Sequence, residues 1–585
     1  MKKIFLFAAI FYTLLSYGQD SANAIRLNQL GFYPMAPKIA VLEAAAPEQK
    51  FFIVTASRRD TVFSGKLGPE IQSRNSSAKT RLIDFSTFHT AGNYRIAIAG
   101  FPSSYTFSIN PEVLHSVALS SLKGFYYIRS GMPLEKQYAG KWARAAGHPD
   151  NAVIVHGSAA DNKRPEGTII ATPGGWYDAG DYNKYVVNSG ISTGTLLSAF
   201  EDFSHYFDTL RTNIPERADK VPDIINEVLY NLRWMMSMQD PGDGGVYNKC
   251  TNAAFDGMVM PDVTKLPRFV VQKGTAATLD FAAVMAQCAR IARKMDRQLP
   301  GLADSCRRAA ERAWDWAVQH PALEYNQDEI NKKFTPKITT GGYGDRHFDD
   351  EWYWAATELF LFNHASRYRD TILRHVSQSL SIPSWNDVNM LAVYSLVRNR
   401  EAVPADMQDA VKLLEHRLLV FADSLAAGQE SSAFHTVMGR SPRDFTWGSN
   451  STAANQGVAL VNAWLLSHNK KYMDAALGNL DYLLGRNATG YCFVTGTGTR
   501  STLHPHHRPS VADGIADPVP GLLAGGPNPG RQDKSIYTFT EPETAYLDSS
   551  PAYASNEIAI NWNAPLVYLA NAIEAMRYSI PYDKH

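Results

Sequence analysis

The chain has 585 residues, of which 45% are hydrophobic and 19% charged, a composition that is typical of a globular protein and excludes a disordered one. Lysine plus arginine and aspartate plus glutamate each number 57, which removes electrostatic attraction to nucleic acid or to an anionic membrane surface. A chain of this length exceeds one hydrophobic core, so two or more domains are expected. The 4 cysteines are too few and too scattered for a disulfide framework.

Residues 1–19 predict a secretory signal. Met1-Lys2-Lys3 is followed by an apolar run from Ile4 to Leu15 and then by small and polar residues up to Gln19. No cysteine lies near that junction, and no later apolar stretch is long enough to span a bilayer. We therefore expect an exported protein, periplasmic or secreted, without a membrane anchor.

Residues 24–109 predict a small all-β domain. Apolar and polar residues alternate there in short runs, and turn residues such as Gly31 and Pro34 separate the runs. The runs cover residues 38–42, 51–54, 81–85, 94–98 and 105–109. Period two without helical segments between the strands favours an antiparallel, immunoglobulin-like sandwich.

Residues 111–580 predict an all-α domain, because the period of the apolar residues changes to that of helices. The helical stretches include residues 191–207, 225–235, 281–291, 305–319, 350–368, 387–398, 406–426, 453–467, 471–485 and 562–577. Around ten helices without clear strands indicate helical hairpins closed into a toroid, whose loops form a cleft at one end.

Two motifs far apart in this helical domain carry acidic residues. Residues 174–184 read GGWYDAGDYNK and place Asp178 and Asp181 three residues apart, and residues 556–563 read NEIAINWN and contain Glu557. Hydrolysis of a glycosidic bond needs a base for water and an acid for the leaving oxygen. Taken singly, each carboxylate could simply cap a turn or a helix. Together they predict a glycoside hydrolase.

The motifs resemble glycoside hydrolase family 9, a cellulase family built on an (α/α)6 barrel, and the resemblance covers nearly all of the mature chain. The Asp-Ala-Gly-Asp motif implies that Asp181 is the catalytic base and that Asp178 helps to hold the attacking water. The motif around Glu557 implies that Glu557 is the general acid and that Asp548 is a second carboxylate, which orients or tunes the site. The family inverts stereochemistry, a geometry in which acid and base lie roughly 6.5 to 9.5 Å apart.

Neighbours of these carboxylates are expected to adjust their charge. Two acids this close need a cation or hydrogen-bond donors, so we expect Lys184 or the backbone amides of Gly174 and Gly175 to stabilise the pair. The general acid must stay protonated, and an apolar wall such as Trp562 or a nearby carboxylate would raise the pKa of Glu557.

Further residues are expected to bind the sugar. Residues 504–510 read HPHHRPS, similar to the family's His-x-Arg signature, which implies that His506 and Arg508 contact sugar hydroxyls. We also assign Trp176, Trp447 and Tyr553 to the substrate, the two tryptophans because they lie in glycine-bearing loops where a ring can stack on a sugar. A polar loop without a ligand is the alternative for the histidine and the arginine.

Two groups of helical residues receive ordinary structural roles. The helical setting of Trp352 and Trp354 predicts that they pack in the core. The acidic run Asp349-Asp350-Glu351 predicts a helix start that faces solvent.

The amino-terminal domain and the metal content also follow the resemblance. Residues 25–32, IRLNQLGF, resemble the opening strand of the immunoglobulin-like domain that precedes many barrels of the family. Relatives often carry a zinc site at the start of the barrel, but here Ser130 and Gly147 stand where cysteines would be expected, and His148 alone cannot hold zinc. We predict that this zinc site is absent and that no cofactor is required, while structural calcium bound by loop carboxylates and carbonyls stays open.

The sequence thus predicts an inverting endo-β-1,4-glucanase that acts as a monomer on cellulose or a related β-glucan. One alternative is an exo-acting β-glycosidase of the cellobiohydrolase, glucosidase or glucosaminidase type, or one acting on xyloglucan oligomers. Others are a non-catalytic carbohydrate-binding protein and an adhesion module built on the sandwich. Retention of all three carboxylates argues against a binding protein, because binding alone requires neither an acid nor a base. Deletion of residues 24–109 is expected to destabilise the barrel.

Overall fold

The computed structural model describes residues 23–47 and 49–579, which form a β-sandwich followed by a helical barrel. The predicted signal, residues 1–19, lies outside the described residues. None of the helices described has the length and hydropathy that crossing a bilayer requires.

Two packed sheets form the amino-terminal domain, as the alternating pattern predicted. The strands are β1 (Ile25–Arg26), β2 (Gly31–Phe32), β3 (Ile39–Glu43), β4 (Lys50–Thr55), β5 (Thr61–Lys66), β6 (Glu70–Gln72), β7 (Lys79–Asp84), β8 (Gly92–Ile98) and β9 (Phe107–Ile109). The strand orders are β1-β3-β7-β6 and β2-β9-β8-β4-β5. The edge strands β5 and β6 were not predicted, since both carry largely exposed residues.

Apolar side chains on alternate positions fill the space between the sheets. Along β8, Tyr94, Ile96 and Ile98 are buried while the residues between them are partly exposed. Phe32 meets Phe85 and Phe107 edge-on, with ring centroids 5.2 and 5.5 Å apart. Edge-to-face aromatic contacts of this kind add to the hydrophobic stabilisation of the core.

The second domain is built on helices. They are α1 (His115–Tyr127), α2 (Lys136–Ala139), α3 (Val186–Asp202), α4 (Ser204–Phe207), α5 (Asp223–Ser237), α6 (Thr275–Lys294), α7 (Leu302–Gln319), α8 (Gln327–Lys333), α9 (Asp349–Asn363), α10 (Ser366–His375), α11 (Asn389–Arg398), α12 (Gln408–Ala426), α13 (Ser449–Ser467), α14 (Lys470–Leu483), α15 (Arg508–Ala512), α16 (Tyr553–Asn556) and α17 (Ile560–Ala575).

The long helices make two concentric rings, which confirms the predicted (α/α)6 barrel. The inner helices α3, α6, α9, α11, α13 and α17 are buried along most of their length. The outer helices α1, α5, α7, α10, α12 and α14 pack against them, and α7, α10 and α12 each bury one face and expose the other. A helix that is apolar all round must be enclosed, whereas an amphipathic helix covers it and faces water.

A small sheet accompanies the barrel, so the prediction of a helical domain without clear strands was wrong. Its strands are β10 (Val153–Val155), β11 (Ile169–Ile170), β12 (Lys184–Tyr185), β13 (Lys249–Asn252) and β14 (Arg268–Val270), in the order β11-β10-β14-β13-β12. Strands of two to four residues are too short to show period two in the sequence.

Buried polar contacts fix the sandwich to the barrel. The side chain of Gln29 donates to the carbonyl of Gly490 (3.0 Å) and accepts from the amides of Thr499 (2.9 Å) and Arg500 (2.8 Å). The Nδ2 of Asn28 donates to Asp481 Oδ1 over 2.8 Å. The sandwich therefore supplies partners for barrel backbone groups that would otherwise need water.

We expect Gln29→Ala to lower the free energy of unfolding by about 1 to 3 kcal/mol, because it leaves backbone groups of the 490–500 loop without partners. Thermal unfolding of the full chain measures the change. Gln72→Ala is the matched control, since the Gln72 amide bonds to the carbonyls of Ser73, Ser76 and Ala78 but is exposed. Equal losses in both variants would contradict a role of Gln29 in joining the domains.

Candidate active site

The two acidic motifs meet at one end of the barrel. The amide of Ile560, the first residue of α17, donates to the carbonyl of Asp178 over 2.8 Å. Glu557 forms a parallel bridge with His506, and its carbonyl accepts from the amide of Gly525 at 2.8 Å. The first residue of α17 thus bonds to the loop that carries Asp178 and Asp181, and Glu557 lies just before this helix.

Asp178 is buried and its two oxygens are both occupied. Oδ1 accepts from Nδ2 of Asn188 in α3 over 2.8 Å, and Oδ2 accepts from the phenol of Tyr343 over 2.9 Å. Burial, followed by the charge of Asp181, raises the pKa of Asp178 well above its ordinary range. This carboxylate is therefore held rigidly by donors on both oxygens, which suits it to orienting a water molecule.

Asp181 is buried to a similar extent, but one of its oxygens is free. Oδ2 accepts from Asn183 Nδ2 (2.5 Å) and from the phenol of Tyr185 (3.0 Å). Oδ1 has no hydrogen-bond partner among the residues that the structure describes. A buried acceptor left open in this way is the atom that can receive a proton from a water molecule.

Glu557 lines the cleft, and burial, followed by the charges of Asp181 and Asp178, raises its pKa to about 8. A carboxyl group with such a pKa holds its proton at neutral pH and can give it to a leaving oxygen. Trp562 lines the same cavity, in keeping with the apolar wall expected beside this residue.

A glycine interlocks the loops of the base and the acid. A Cβ atom on Gly180 would lie 2.2 Å from the carbonyl oxygen of His506, so a larger residue would push these two loops apart. The glycine of the Asp-Ala-Gly-Asp motif is thus required by packing between the two halves of the site.

His506 is oriented by the backbone. Its Nδ1 donates to the carbonyl of Ser550 over 2.7 Å, and burial lowers its pKa, so the ring is neutral near neutral pH. In that tautomer Nε2 is an acceptor for a sugar hydroxyl. Its ring also lies 5.5 Å from that of Tyr553, which in turn lies 5.6 Å from the ring of Trp447.

Arg508 does not present its guanidinium to the cleft. Nε and Nη2 donate to the carbonyl of Asp256 at 3.0 and 2.8 Å, and Nη1 donates to the carbonyl of Gly180 at 2.7 Å. Its side chain is buried. The expected contact of Arg508 with sugar hydroxyls is therefore corrected: this residue joins the base loop to the 253–267 loop.

Asp548 is also directed at the protein. Its oxygens accept from the amides of Leu503 (2.9 Å) and His504 (2.8 Å) and from Nδ2 of Asn556 (3.3 Å). These contacts hold the loop that leads into His506. Of the two roles expected of Asp548, orienting or tuning the site, these contacts favour the orienting one.

The predicted aromatic platforms divide into one inside the core and two at the cleft. Trp176 is 0% exposed and its ring lies 4.6 Å from that of Phe125, so its assignment to the substrate was wrong. Trp447 is 41% exposed and lines the cleft beside the partly exposed Tyr553. A glycine-bearing loop therefore does not by itself show which way an aromatic ring faces.

The other predicted tryptophans follow their helical setting. Trp354 is buried in the core, and the partly buried Trp352 packs edge-on against Trp314 with ring centroids 4.8 Å apart. Both therefore contribute to packing between helices.

Lys184 pairs with Asp150 and not with Asp178 or Asp181, the acids that it was expected to stabilise. Its ammonium pairs with Asp150 at 2.7 Å and donates to the carbonyls of Thr172 and Gly174. The donors to the aspartate pair are instead the side chains of Asn183, Tyr185, Asn188 and Tyr343.

The cleft has a cavity of about 520 Å³ beside Glu557. Trp385, Trp447 and Trp562 give it aromatic surface, and its other lining residues include Gly341, Gly342, Gly448, Ser384, Ser451 and Thr452, all of them small. A larger cavity of about 630 Å³ lies between the sandwich and the barrel, but none of the three carboxylates lines it. We therefore place the chemistry in the smaller cavity.

Sequence reasoning missed Tyr343 and Trp385. Tyr343 has φ 48°, a left-handed conformation that is uncommon for a bulky residue, and it is flanked by Gly342 and Gly344. Burial and the charge of Asp178 raise the pKa of Tyr343 well above its ordinary value, so its phenol remains a donor. The Gly-Gly-Tyr-Gly sequence was the available signal.

A second group of carboxylates lies buried near the start of α9. Asp280 and Glu351 are buried and all four of their carboxylate oxygens lack partners among the described residues, as does one oxygen of Asp345. Burial, with neighbouring acids such as Asp350, raises the pKa of Glu351 well above its ordinary value. The expectation that residues 349–351 face solvent was thus wrong for Asp350 and Glu351, while Asp349 is exposed.

Two other regions bear on metal binding. Asp161, Asp240 and Asp243 bring oxygens within 4.8 Å of one another, but Lys273 pairs with all three and already neutralises them. At the position of the zinc site found in relatives, His148 Nδ1 bonds to the phenol of Tyr177 at 2.9 Å.

Comparison with known proteins places this chain in a family. The model described as glycosyl hydrolase family 9 matches residues 115–570, and the one described as cellulase N-terminal ig-like domain matches residues 20–103. Because these matches cover most of the chain, they show that this protein is a glycoside hydrolase. It belongs to glycosyl hydrolase family 9, as the motifs predicted.

Similar proteins include curated relatives and a solved structure. The chain is 46% identical over 561 residues to a xyloglucan-specific endo-beta-1,4-glucanase of Bacteroides ovatus, covering 95% of each. It is 31% identical over 553 residues to endoglucanase D of Acetivibrio thermocellus, covering 93% of this chain and 82% of that one. A solved family 9 structure from Bacteroides ovatus superposes with a TM-score of 0.90 at 44% identity, covering 95% of this chain and 100% of the other.

Hydrolytic activity should fall as pH rises through about 8, because Glu557 then loses the proton that it must donate. Trp562→Ala admits water to the carboxyl group, lowers its pKa and should move this alkaline limb to lower pH. The pH dependence of kcat measures both effects. Trp464→Ala is the control, since Trp464 lies in α13 and packs against His468. An unmoved limb in Trp562→Ala would show that the indole does not set this pKa.

Tyr343→Phe should lower kcat roughly 10- to 100-fold with little change in KM, because it removes the donor to Asp178 Oδ2. Steady-state kinetics measures this effect. Tyr353→Phe deletes a buried phenol that has no partner among the described residues and should leave kcat unchanged. Comparable losses in the two variants would argue against a specific role for Tyr343.

Proposed function

We propose that this protein is an inverting endo-β-1,4-glucanase whose preferred substrate is xyloglucan. The observation that carries the mechanism is the contrast between Asp178, whose oxygens are both bonded, and Asp181, whose Oδ1 is free. The raised pKa of Glu557 supplies the complementary acid at the cleft.

The proposed reaction is a single displacement. Asp181 Oδ1 takes a proton from water, and the water oxygen attacks the anomeric carbon. The bond from that carbon to the leaving oxygen breaks, and Glu557 gives its proton to this oxygen. Asp178 accepts a hydrogen bond from the other O–H of the water, which stays on the sugar as its new hydroxyl group. Asp181 ends protonated and Glu557 ionised, and exchange with solvent restores both groups.

The remaining cleft residues would position the sugar. His506 offers Nε2 as an acceptor for a hydroxyl, while Trp447 and Tyr553 offer aromatic faces to the pyranose. Arg508 and Asp548 would act without touching the sugar, because they hold the loops that carry Asp181 and His506.

Two features favour xyloglucan over unbranched cellulose. One is the 46% identity to a relative described as xyloglucan-specific over nearly the whole chain. The other is the set of glycine, serine and threonine residues that line the cavity, whose small size would leave room for branches on a glucan chain. A cleft bounded by such small residues also suits attack within a chain rather than at its end.

Cellular location and assembly extend the proposal. The charged and apolar order of residues 1–19 supports export, so we propose that the enzyme meets its polysaccharide outside the cytoplasm. We also propose that it works as a monomer, because each chain contains the acid, the base and the cleft.

Glu557→Gln should lower kcat on a glucan polymer by roughly 10² to 10⁴-fold, since the amide cannot donate the proton. Reducing-end assays on the purified full chain measure the loss. Glu541→Gln is the control, because Glu541 is exposed and bonds to Ser77 at the sandwich. Retained activity in Glu557→Gln would overturn the assignment of the acid.

Initial rates on xyloglucan, carboxymethylcellulose and short cello-oligosaccharides test the substrate. We expect higher kcat/KM on xyloglucan, with rapid loss of viscosity and mixed oligomers as products. If carboxymethylcellulose is cleaved as well as xyloglucan or better, the preferred substrate is cellulose and not xyloglucan. One small product from chain ends would indicate an exo-enzyme, and binding without turnover a carbohydrate-binding protein.

We further propose that a calcium ion neutralises the buried carboxylates Asp280, Asp345, Asp350 and Glu351. Calcium is bound by oxygen ligands of this kind, and the unpartnered oxygens fit that requirement. They are spaced more widely than the Asp161, Asp240 and Asp243 oxygens, so the ion would draw them together. The ion would be structural and would brace the start of α9 behind the Tyr343 loop.

With a chelator, the melting temperature should fall as pH rises above about 4, because the folded-state pKa values of Asp280 and Glu351 are raised and deprotonation then costs stability. Added calcium should restore the melting temperature at neutral pH. At a calcium concentration a hundredfold above Kd, the free energy of unfolding should rise by about 2.7 kcal/mol. Asp280→Asn should weaken the response. A melting temperature insensitive to calcium would mean that the acids share protons instead.

A further inference from the structure

Lys249, the first residue of β13, is fully buried next to the base. Its backbone pairs with that of Tyr185, the residue whose phenol donates to Asp181. Its ammonium lies 5.4 Å from the centre of the Tyr185 ring and 5.5 Å from that of Tyr325. A buried ammonium is costly, so its place beside the catalytic aspartate needs a compensating reason.

All three protons of the ammonium are used in hydrogen bonds. Nζ donates to Gln327 Oε1 at 2.6 Å, to Thr340 Oγ1 at 3.1 Å and to the carbonyl of Gly341 at 2.5 Å. Two of these acceptors belong to the segment that leads directly into Tyr343. Lys249 therefore fixes the backbone that carries the phenol bonded to Asp178.

The same segment also returns to the base. The amide of Gly341 donates to the phenol oxygen of Tyr185 at 3.1 Å, and that phenol donates to Asp181 Oδ2 at 3.0 Å. Lys249 thus contacts the surroundings of both aspartates. Its bond to Gly341 holds the segment of Tyr343, which bonds to Asp178, and its ammonium lies near the ring of Tyr185, which bonds to Asp181.

Lys249 forms no ion pair with a carboxylate among the described residues. The buried lysines Lys184 and Lys273 pair with Asp150 and Asp240 at 2.7 Å, whereas Lys249 has no carboxylate within 4.0 Å among the described residues. The titratable groups that face it are Tyr185 and Tyr325, and Asp181 lies beyond Tyr185. Burial lowers the pKa of Lys249 to about 7, while Asp181 acts to raise it.

We propose that Lys249 is a positioning residue of the hydrolytic site, which holds the 340–343 segment in place and supplies a positive charge beside Tyr185, the residue that bonds to Asp181. It touches no substrate, since it is fully buried. Its effect reaches the reaction through Tyr185 and Tyr343. This inference rests on the proposed function, in which Asp181 is the base.

Three substitutions separate the two parts of this role. Lys249→Met removes the charge and the hydrogen bonds, Lys249→Gln removes the charge but keeps donors, and Lys249→Arg keeps both. The pH dependence of kcat and the values of kcat and KM are measured for each full-length variant, with thermal unfolding as the check of folding.

Without the ammonium the base is easier to protonate, so the acidic limb should move to higher pH by roughly 0.5 to 1 unit in the Met and Gln variants. The Arg variant should keep the limb where it lies in the original protein. In Lys249→Met, kcat should also fall roughly 10- to 100-fold with KM nearly unchanged, because the supports of the aspartates shift.

Lys273→Met is the matched control, since it removes another buried lysine that lies outside the cleft. It should lower the melting temperature without moving the acidic limb. If the limb stays in place in folded Lys249→Met and Lys249→Gln, or moves equally in Lys249→Arg, the proposal is overturned. Should the Met variant not fold, the Gln and Arg variants decide the question.

The Glu557→Gln experiment keeps the two proposals apart. Retained hydrolysis in that variant would remove the proposed function. Loss of hydrolysis there, together with an unmoved limb in the Lys249 variants, would remove only the role of Lys249.

Discussion

Repulsion between two buried carboxylates is the constraint on which the rest of the site depends. Asp178 and Asp181 lie three residues apart in a region shielded from water, where an unpaired charge is expensive. Neutral donors from separate parts of the chain compensate: Asn188 from α3, Tyr185 from β12 and Tyr343 from the loop before α9. The barrel, the small sheet and the glycine-rich loop therefore converge on these two side chains.

The sandwich takes part in the same arrangement although it lies away from the cleft. Gln29 bonds the 490–500 loop, in which Cys492 forms a bridge with Ser501, the residue that follows the loop. The next residues, Leu503 and His504, bond to Asp548, and the chain then reaches His506. Positioning is thus passed along the backbone from the first strand region to His506. This connection gives a physical reason for a β-domain ahead of the barrel.

Local patterns in the sequence were sufficient for the architecture, and motifs for the acidic residues, but not for their partners. Period two and helical period predicted the sandwich and the barrel, because burial of one face leaves a repeat in the chain. The contacts of Tyr343, Tyr185 and Lys249 join residues distant in sequence, and no repeat encodes them. Trp176 and Arg508 were misassigned because residue type and loop setting do not reveal which way a side chain faces.

The position of α17 affects the order in which the protein can fold. This helix ends at residue 575 and packs against α1, α3 and α13, so it closes the ring between the first and the last barrel helices. During synthesis the sandwich can form early, whereas the apolar side of α3 waits for nearly the whole chain to appear. Until α17 is made, the apolar surfaces of α1, α3 and α13 that pack against it stay exposed to water.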